Sequence, residues 1–372
     1  MSRPRSTFVP VAVPDPVTRS DLAAVPDPVA VPVAVPVLEE ARRLSEPAIR
    51  AGLDRLDPDT RHACGYHLGY WDADGSPLDA GGKGVRPALA VLSARAAGSV
   101  RASDSGTQDG VVAAAACELV HNFSLLHDDL MDGDTERRHR TTVWARFGPA
   151  TAILAGDAML ALANELLAEA GSPATPAALR YLNMTTRRLV KGQAADLAFE
   201  TRVRVSLEEC LRMAGDKTGA LLACSASLGA MLAGAPSRTT TALGEYGAHL
   251  GLAFQLIDDL LGIWGTPART GKPVWSDLRA RKKSLPVVVA LASDCTAGRA
   301  LRRMYAEETL EDDAALAELA NLVERAGGRA WTEERAERES AAAVAALDGL
   351  DVPASVCAQL AALAELLCRR TY

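Results

Sequence analysis

The stretch VVAAAACELVHNFSLLHDDLMD, residues 111–132, decides the fold. Small and aliphatic residues cover it nearly all round until the aspartates at its end. As a helix it would be about 33 Å long, since each residue adds ~1.5 Å. A helix that is apolar on every side has to be buried, so this one is predicted to lie at the centre of a helical bundle.

The rest of the chain also has the composition of a helical protein. Of its 372 residues 48% are apolar but only 4% are aromatic, and Ala and Leu dominate the apolar set. Strands favour β-branched and aromatic side chains, whereas Ala and Leu favour helices. The predicted fold class is therefore all-α, with helical windows at 39–56, 87–98, 111–132, 150–170, 176–199, 206–233, 239–263, 283–293, 312–326, 332–348 and 353–370.

Residues 1–37 differ from everything that follows. VPVAVP occurs at 9–14 and again at 31–36, and VPDPV is also repeated. Proline lacks the backbone donor and disrupts helix interiors, so such a segment favours extended, polyproline-like conformations. We predict a disordered Pro/Val/Ala-rich tail over 1–37, followed by a single domain over 38–372.

Charge, hydropathy and cysteine usage exclude several classes of protein. The net charge of −7 argues against a general nucleic-acid binder. No unbroken apolar run approaches the ~20 residues of a membrane span, and prolines interrupt any secretory signal, so we expect no transmembrane segment. The seven scattered cysteines are typical of a reducing cytoplasm, where we expect the protein to reside.

Two acidic motifs end two apolar segments. In HDDLMD, Asp128 and Asp132 are four residues apart and share one helix face. In FQLIDDLLG, the pair Asp258 and Asp259 repeats the arrangement. A single such motif is more often a solvated helix end, but two of them suit a hard cation such as Mg²⁺, which prefers oxygen ligands.

Basic residues recur in short motifs along the same chain. They occur in GGKGVRP, in the arginine pair of DTERRHRTT, in GDKTGAL, and in GKPVWSDLRARKKSLP. Each cation alone would be read as a surface charge. Together with two acidic motifs they predict a polyanionic substrate, of which a diphosphate is the simplest.

These motifs, in this order and spacing over about residues 40–370, resemble those of the trans-isoprenyl diphosphate synthases, the polyprenyl synthetase family, and most of all bacterial geranylgeranyl diphosphate synthases. The resemblance implies an isoprenoid-synthase helical bundle around a deep central cavity, and usually a homodimer. It also implies a magnesium-dependent prenyltransferase that condenses isopentenyl diphosphate with an allylic diphosphate.

The resemblance further assigns roles to individual residues. Magnesium would be bound by Asp128, Asp132 and Asp258, with Asp259 in support. The allylic diphosphate would be held by Arg137, Lys217 and Lys272, while Thr218 and Gln255 would lie near the developing carbocation. Isopentenyl diphosphate would be held by Lys83, Arg86, His121 and Arg138, although a histidine on an apolar helix is as often a core residue.

Product length is predicted from the residues before the first acidic motif. By resemblance, Phe123, five residues before Asp128, forms part of the pocket floor, and the small Ser124 follows it. This pattern resembles synthases of the twenty-carbon geranylgeranyl diphosphate, with farnesyl diphosphate as the alternative. A class I terpene cyclase and a catalytically silent partner subunit are further alternatives, but the second metal motif of a cyclase, NDxxSxxxE, is not found.

Two departures from the family pattern and the tail complete the expectations. Gly262 stands where a third aspartate is frequent, and His139 and Thr141 replace a common Gly and Pro. Little consequence is expected of either, so that Gly262→Asp should change magnesium dependence only slightly. The tail resembles Pro-rich extensions of bacterial polyprenyl synthases that are packaged inside encapsulin shells, and is hypothesised to dock there.

Overall fold

The computed structural model describes residues 30–97, 105–266, 274–305 and 312–368. This part of the chain is helical apart from a small hairpin, as predicted. The strands are β1 Glu136–Arg137 and β2 Arg140–Thr141, paired antiparallel. The α-helices are α1 Ala30–Leu53, α2 Pro58–Leu68, α3 Val85–Ala96, α4 Ser105–Met131, α5 Val143–Phe147, α6 Pro149–Ala168, α7 Thr175–Thr201, α8 Leu207–Ala214, α9 Ala220–Leu232, α10 Ser237–Trp264, α11 Ser276–Arg279, α12 Leu285–Ala292, α13 Thr296–Tyr305, α14 Asp313–Arg325, α15 Gly328–Ala345 and α16 Ala354–Cys368.

The predicted central helix is α4. Leu119 and Val120 are completely buried, and so are all four alanines of the run at 113–116. The helix packs against α3, α6 and α9, with α1 along a further side. The expectation of a buried axis inside a helical bundle is therefore confirmed.

The N-terminal boundary differs from the prediction. α1 begins at Ala30, so the second VPVAVP repeat lies inside a helix rather than in the tail. Ala34 is fully buried and Val37 nearly so, and α1 packs on α4 and α16. Burial of these side chains offsets the backbone hydrogen bond that Pro36 cannot make within the helix. The remainder of the predicted tail, residues 1–29, lies outside the described residues.

Two helices are long and apolar enough to cross a membrane by length and composition. One is the 108–131 part of α4, of which 72% is buried, and the other is α6, of which 44% is buried. α4 is thus the core helix of the bundle, which explains its apolar sequence. α6 keeps an apolar face on the surface, where Ile153 and Leu154 are exposed.

The ends of two long helices define the functional end of the bundle. The first acidic motif ends α4, and the second lies in the last two turns of α10. Between them in sequence, α8 and α9 are joined by a π-helical turn, Gly215–Gly219, where a single window had been predicted. The two acidic motifs and this turn all border one cavity.

Candidate active site

The cavity has a volume of about 640 Å³ and is lined from α3, α4, the hairpin, α7, the π turn, α10 and the segment after it. It brings together ten of the predicted site residues: Lys83, Arg86, His121, Asp128, Asp132, Arg137, Arg138, Lys217, Gln255 and Asp258. Thr218 adjoins it through a hydrogen bond to Gln255. Lys272 lies outside the described residues.

The first acidic wall comes from the last turn of α4. Asp128 and Asp132 line the cavity, as their four-residue spacing predicts. Asp129, between them, is buried and accepts a hydrogen bond of 2.6 Å from Nε of Arg137. The motif therefore has two functions, because its outer aspartates face the cavity and its middle one fixes the hairpin.

The carboxyl groups of this wall are short of compensating charge. Burial raises the pKa of Asp128 to about 6, against the opposing effect of Lys217 and with a further contribution from Asp132. Burial likewise raises the pKa of Asp132. A carboxylate pair held ionised at neutral pH in such a place would be stabilised by an added cation.

The hairpin presents the arginine pair at a strained turn. Arg138 and His139 both have positive φ, of 51° and 60°. Glycine adopts this left-handed conformation most easily, which agrees with the glycine that the resemblance leads one to expect in place of His139. The hairpin is anchored on α2 by a 2.8 Å hydrogen bond from the Tyr66 hydroxyl to the carbonyl of Thr141.

A basic face lies between the start of α3 and the hairpin. Arg86 is half-buried, with its Nε shielded from solvent and without a hydrogen-bond partner within the described residues, and desolvation lowers its pKa. A Cβ on Gly82 would lie 3.1 Å from the guanidinium of Arg138, so glycine lets that guanidinium lie against the loop. Burial and the neighbouring arginines keep the pKa of His121 well below its usual value, which makes this imidazole neutral. Among the carboxylates, Glu118 does most to raise the pKa of Arg86 and of Arg138, against the effect of burial.

The π turn places Lys217 in the cavity. A Cβ on Gly192 of α7 would lie 2.7 Å from Cα of Lys217, so glycine is required for this close approach. Nζ of Lys217 lies 2.7 Å from Oδ2 of Asp196 and 4.0 Å from Oδ2 of Asp128. Asp196 was not predicted from the sequence, although a glycine inside a helix, in KGQAAD, is a signal of close packing. π-helical turns are frequent at functional sites, and this one turns the side chain of Lys217 into the cavity.

A chain of hydrogen bonds orders the second acidic wall. Thr218 Oγ1 donates to Oε1 of Gln255 at 2.6 Å, and Nε2 of Gln255 donates to Asp259 at 2.8 Å. The other oxygen of Asp259 accepts from the backbone N–H of Leu285, at the start of α12. Asp259 is thus buried and orienting, whereas Asp258 lines the cavity.

Two further charged residues of this wall were not predicted as site residues. Asp277 and Lys282 both line the cavity. Burial alone would lower the pKa of Lys282, but the carboxylates around it, Asp277 first among them, raise that pKa above the ordinary lysine value. The neighbouring Lys283 points elsewhere, because its ammonium donates to the carbonyls of Phe199 and Glu200 at the end of α7.

The charges of the side chains that line the cavity show whether it can hold a metal cation. In the described part of the chain, eight carboxylates line the cavity against six Lys and Arg side chains. A diphosphate would therefore enter a cavity that is already negative unless positive charge came with it. No three His, Cys, Asp or Glu side chains among the described residues form a complete metal site. This arrangement suits Mg²⁺, which is held by one or two carboxylates together with substrate phosphates.

The predicted chain-length residues are not in the cavity lining. Phe123 is buried, and its ring meets that of His127 edge to face, with centroids 5.1 Å apart. Ser124 is buried as well, and its hydroxyl donates to the carbonyl of His121 at 2.7 Å. The apolar lining consists instead of Val85, Met213, Leu222, Phe254 and Leu261.

Comparison with known sequences gives a consistent result. The profile of the polyprenyl synthetase family matches residues 76–323. A (2E,6E)-farnesyl diphosphate synthase of Mycobacterium tuberculosis is 49% identical over 340 residues, which cover 90% of this chain and 93% of that one. A geranylgeranyl diphosphate synthase of the same organism is 41% identical over 337 residues, with the same coverage of both chains.

Solved structures share the whole architecture. A polyprenyl synthetase from Streptomyces coelicolor superposes with a TM-score of 0.84 at 52% identity, over 90% of this chain and 99% of that chain. A geranylgeranyl pyrophosphate synthase from Corynebacterium glutamicum, complexed with isoprenyl diphosphate and magnesium, superposes with a TM-score of 0.78 at 28% identity, over 91% and 99%. The chain belongs to the polyprenyl synthetase family of trans-prenyl diphosphate synthases, which are transferases.

Proposed function

We propose that this chain condenses isopentenyl diphosphate with an allylic diphosphate to extend an all-trans prenyl chain, in a reaction that requires magnesium. The observation that carries the proposal is a single cavity in which Asp128 and Asp132 on α4 and Asp258 on α10 border the same space as the predicted cations. Two acidic walls with cations between them suit a metal-bound diphosphate better than any neutral substrate.

The residues around the first wall bind and orient the allylic diphosphate. Arg137 and Lys217 approach from the hairpin and the π turn, and Lys272 belongs to the same proposed set. Magnesium held by Asp128, Asp132 and Asp258 would neutralise the diphosphate as it departs from the allylic carbon. A magnesium complex of a relative supports this choice of metal.

The basic face binds the second substrate, isopentenyl diphosphate. Lys83, Arg86 and Arg138 supply cations around the neutral imidazole of His121, which can donate one hydrogen bond. Thr218 and Gln255 place oxygen atoms beside the cavity, where they stabilise the allylic carbocation. The departing pyrophosphate accepts the proton in the family mechanism, so the chain needs no general base of its own.

We propose the twenty-carbon geranylgeranyl diphosphate as the final product. The support is the sequence pattern alone, the aromatic Phe123 before the first acidic motif with the small Ser124 beside it, since neither side chain lines the cavity. Farnesyl diphosphate is the second candidate, because identity to the farnesyl synthase of M. tuberculosis exceeds identity to its geranylgeranyl counterpart, 49% against 41%.

A second copy of the chain would cover the apolar face of α6 and α7. Ile153 and Leu154 on α6 and Met184 and Val190 on α7 are exposed large apolar side chains. A large contiguous patch of exposed apolar side chains marks an interaction site, and we propose that a homodimer buries these four. Sedimentation should give a dimer, and Leu154→Asp should shift it to monomer.

A direct assay tests the proposed reaction. The purified protein is incubated with isopentenyl diphosphate, magnesium and dimethylallyl, geranyl or farnesyl diphosphate, and the products are identified by mass spectrometry after dephosphorylation. Twenty-carbon prenyl alcohols support the full proposal, and fifteen-carbon ones support the second candidate. Cyclic hydrocarbons would indicate a terpene cyclase, and a lack of products would indicate a silent partner subunit.

The N-terminal tail is proposed to direct the enzyme to a partner. Its repeated Pro-Val elements are of the kind that dock in extended form in apolar grooves, and an encapsulin shell is the proposed receptor. The enzyme would then act in the cytoplasm inside that shell.

A further inference from the structure

The arginine pair lies on a hairpin turn that its own residues disfavour. β1 and β2 pair Arg137 with Arg140, so the turn consists of Arg138 and His139 alone. Both have positive φ, and hairpin turns of this kind are usually built from Asn or Asp and Gly. Residues with a Cβ keep such a conformation only where surrounding contacts specify it. Contacts outside the turn must therefore hold the hairpin in this shape.

Arg140 makes several of these contacts, although it does not line the cavity. Its Nη1 donates to the carbonyl of Tyr66 at 2.8 Å, and its Nη2 donates to the carbonyl of Trp71 at 3.2 Å. The guanidinium also lies over the ring of Tyr66, 4.2 Å from the ring centroid. The carbonyl of Tyr66 belongs to the last turn of α2, where the helix dipole favours a cation. Arg140 thus binds β2 to the C-terminal end of α2.

Tyr66 makes the reciprocal contact from α2. Its hydroxyl donates to the carbonyl of Thr141 at 2.8 Å. Its ring is buried and meets that of Phe147 on α5 edge to face, with centroids 5.1 Å apart. The indole of Trp71 packs directly on Gly65 of α2, where a Cβ would lie 1.9 Å from its Cζ2. The end of α2 is therefore closely packed, and it gives the hairpin a fixed support.

The two arginines of the pair depend on this support to different degrees. Arg137 has an anchor of its own, the 2.6 Å hydrogen bond from its Nε to Asp129. Arg138 belongs to the turn itself and reaches the cavity beside Gly82. A change in the shape of the turn would therefore displace Arg138 more than Arg137.

We propose that Tyr66 and Arg140 are positioning residues for isopentenyl diphosphate, which hold the hairpin turn so that Arg138 meets that substrate. The inference rests on the proposed function, because it takes Arg138 as a ligand of isopentenyl diphosphate. The allylic diphosphate should be much less affected, since Arg137 is held by Asp129. Loss of one substrate and not the other is what distinguishes this role from a structural one.

The first test measures the binding of isopentenyl diphosphate by isothermal titration calorimetry, without metal or allylic substrate. Tyr66→Phe should weaken binding about fivefold, the factor that a single hydrogen bond contributes. Arg140→Lys should weaken it about tenfold, because lysine keeps the charge but cannot bond both carbonyls in the same way. Binding within twofold of the wild type in both variants would overturn the proposal.

Tyr246→Phe is the matched control for the tyrosine variant. It removes another buried hydroxyl, which donates to the carbonyl of Leu360 at 2.8 Å and does not line the cavity. It should lower the thermal midpoint and leave the binding of isopentenyl diphosphate unchanged. Binding as weak as that of Tyr66→Phe would show that any such loss of stability is enough, which would overturn the positioning role.

Steady-state kinetics supplies a readout that a structural role would not give. Tyr66→Phe and Arg140→Lys should raise the KM for isopentenyl diphosphate by the same factors, with kcat and the KM for the allylic diphosphate within twofold of the wild type. Equal rises in both KM values would overturn the proposal, because they would indicate a general loss of structure.

The last test relaxes the turn itself. His139→Gly alone should raise the thermal midpoint and leave binding unchanged, because glycine adopts a positive φ easily. Combined with Tyr66→Phe, it should restore isopentenyl diphosphate binding to within twofold of the wild type. A fivefold loss that persists in the double variant overturns the proposal. A wild type that binds isopentenyl diphosphate without turnover would refute the proposed function and leave the calorimetric comparison to decide, whereas a wild type that does not bind it would refute both.

Discussion

The ammonium of Lys217 lies 2.7 Å from Oδ2 of Asp196. The same ammonium is 4.0 Å from Asp128, so Asp196 holds it beside the first acidic wall rather than against it. Because the π turn and Gly192 bring the backbone of Lys217 onto α7, the pair is fixed by close packing as well as by charge.

Asp196→Asn is therefore expected to lower kcat/KM for the allylic diphosphate by tenfold or more, or ~1.4 kcal/mol of transition-state stabilisation. The amide keeps the shape of the side chain but removes the charge that positions Lys217. Steady-state kinetics at saturating isopentenyl diphosphate checks this, with Asp294→Asn, at a fully exposed aspartate, as the matched control. A variant with wild-type kcat/KM would show that Lys217 needs no such anchor.

The two acidic walls should be separately indispensable. Asp128→Ala and Asp258→Ala are each expected to reduce turnover by orders of magnitude, since each removes a proposed magnesium ligand from one side of the cavity. Circular dichroism and the thermal midpoint should stay close to those of the wild type. Glu334→Ala, a surface variant on α15, provides the comparison. Near-normal turnover of either wall variant with magnesium present would reject the assignment of that wall.

Stability without metal should depend on pH through Asp128. Its pKa rises from the ordinary 3.8 to about 6 on folding, mainly through burial, so the folded state favours the protonated form. The stabilisation that the folded state gains by binding this proton is fully present below pH 3.8. It is lost as the pH rises to about 6 and is absent at higher pH. Asp128→Asn should therefore stabilise the metal-free protein at pH 7.5 by about 2 kcal/mol and have little effect at pH 4.

Urea unfolding in the presence of a chelator measures the change in the free energy of unfolding at pH 7.5 and at pH 4. Magnesium with pyrophosphate should then stabilise the wild type more than Asp128→Asn. Equal stability of the two metal-free proteins at pH 7.5 would show that Asp128 carries no such penalty.

Phe123 tests the proposed pocket floor. Its ring packs on His127, whose Nε2 is 3.1 Å from the carbonyl of Ile153 on α6, so the aromatic pair is held between α4 and α6. Phe123→Ala should lengthen the products beyond twenty carbons and also reduce stability by about 3 kcal/mol, as truncation of a buried ring does. Phe123→Leu keeps more of the packing, so it should show the change in product length with a smaller loss of stability. Mass spectrometry of the products decides, and an unchanged chain length in both variants would remove Phe123 from the floor.

The sequence predicted the helical class and the central helix because a long segment that is apolar on every side is a strong local signal of a buried helix. It also predicted ten cavity-lining residues, since they occur in compact motifs. Asp196 and Asp277 were not identified as site residues, because their role depends on which distant residues they meet. α2 and α13 were not predicted either. Both are short helices, of 11 and 10 residues, and packing against distant parts of the chain decides which of their residues are buried.

The boundary of the N-terminal tail gives a final prediction. Since α1 begins at Ala30 and buries Ala34 and Val37, deletion of residues 1–29 should leave the thermal midpoint and the activity unchanged, whereas deletion of 1–37 should destabilise the protein by about 2 kcal/mol or more. If the tail is a docking peptide, deletion of 1–29 should also abolish co-purification with a co-expressed encapsulin shell, and residues 1–29 grafted onto an unrelated protein should confer it. The proline spacing suits such an extended ligand, because little conformational entropy is lost on docking. Loading that survives the deletion, or a graft that does not load, would show that the shell does not recognise this segment.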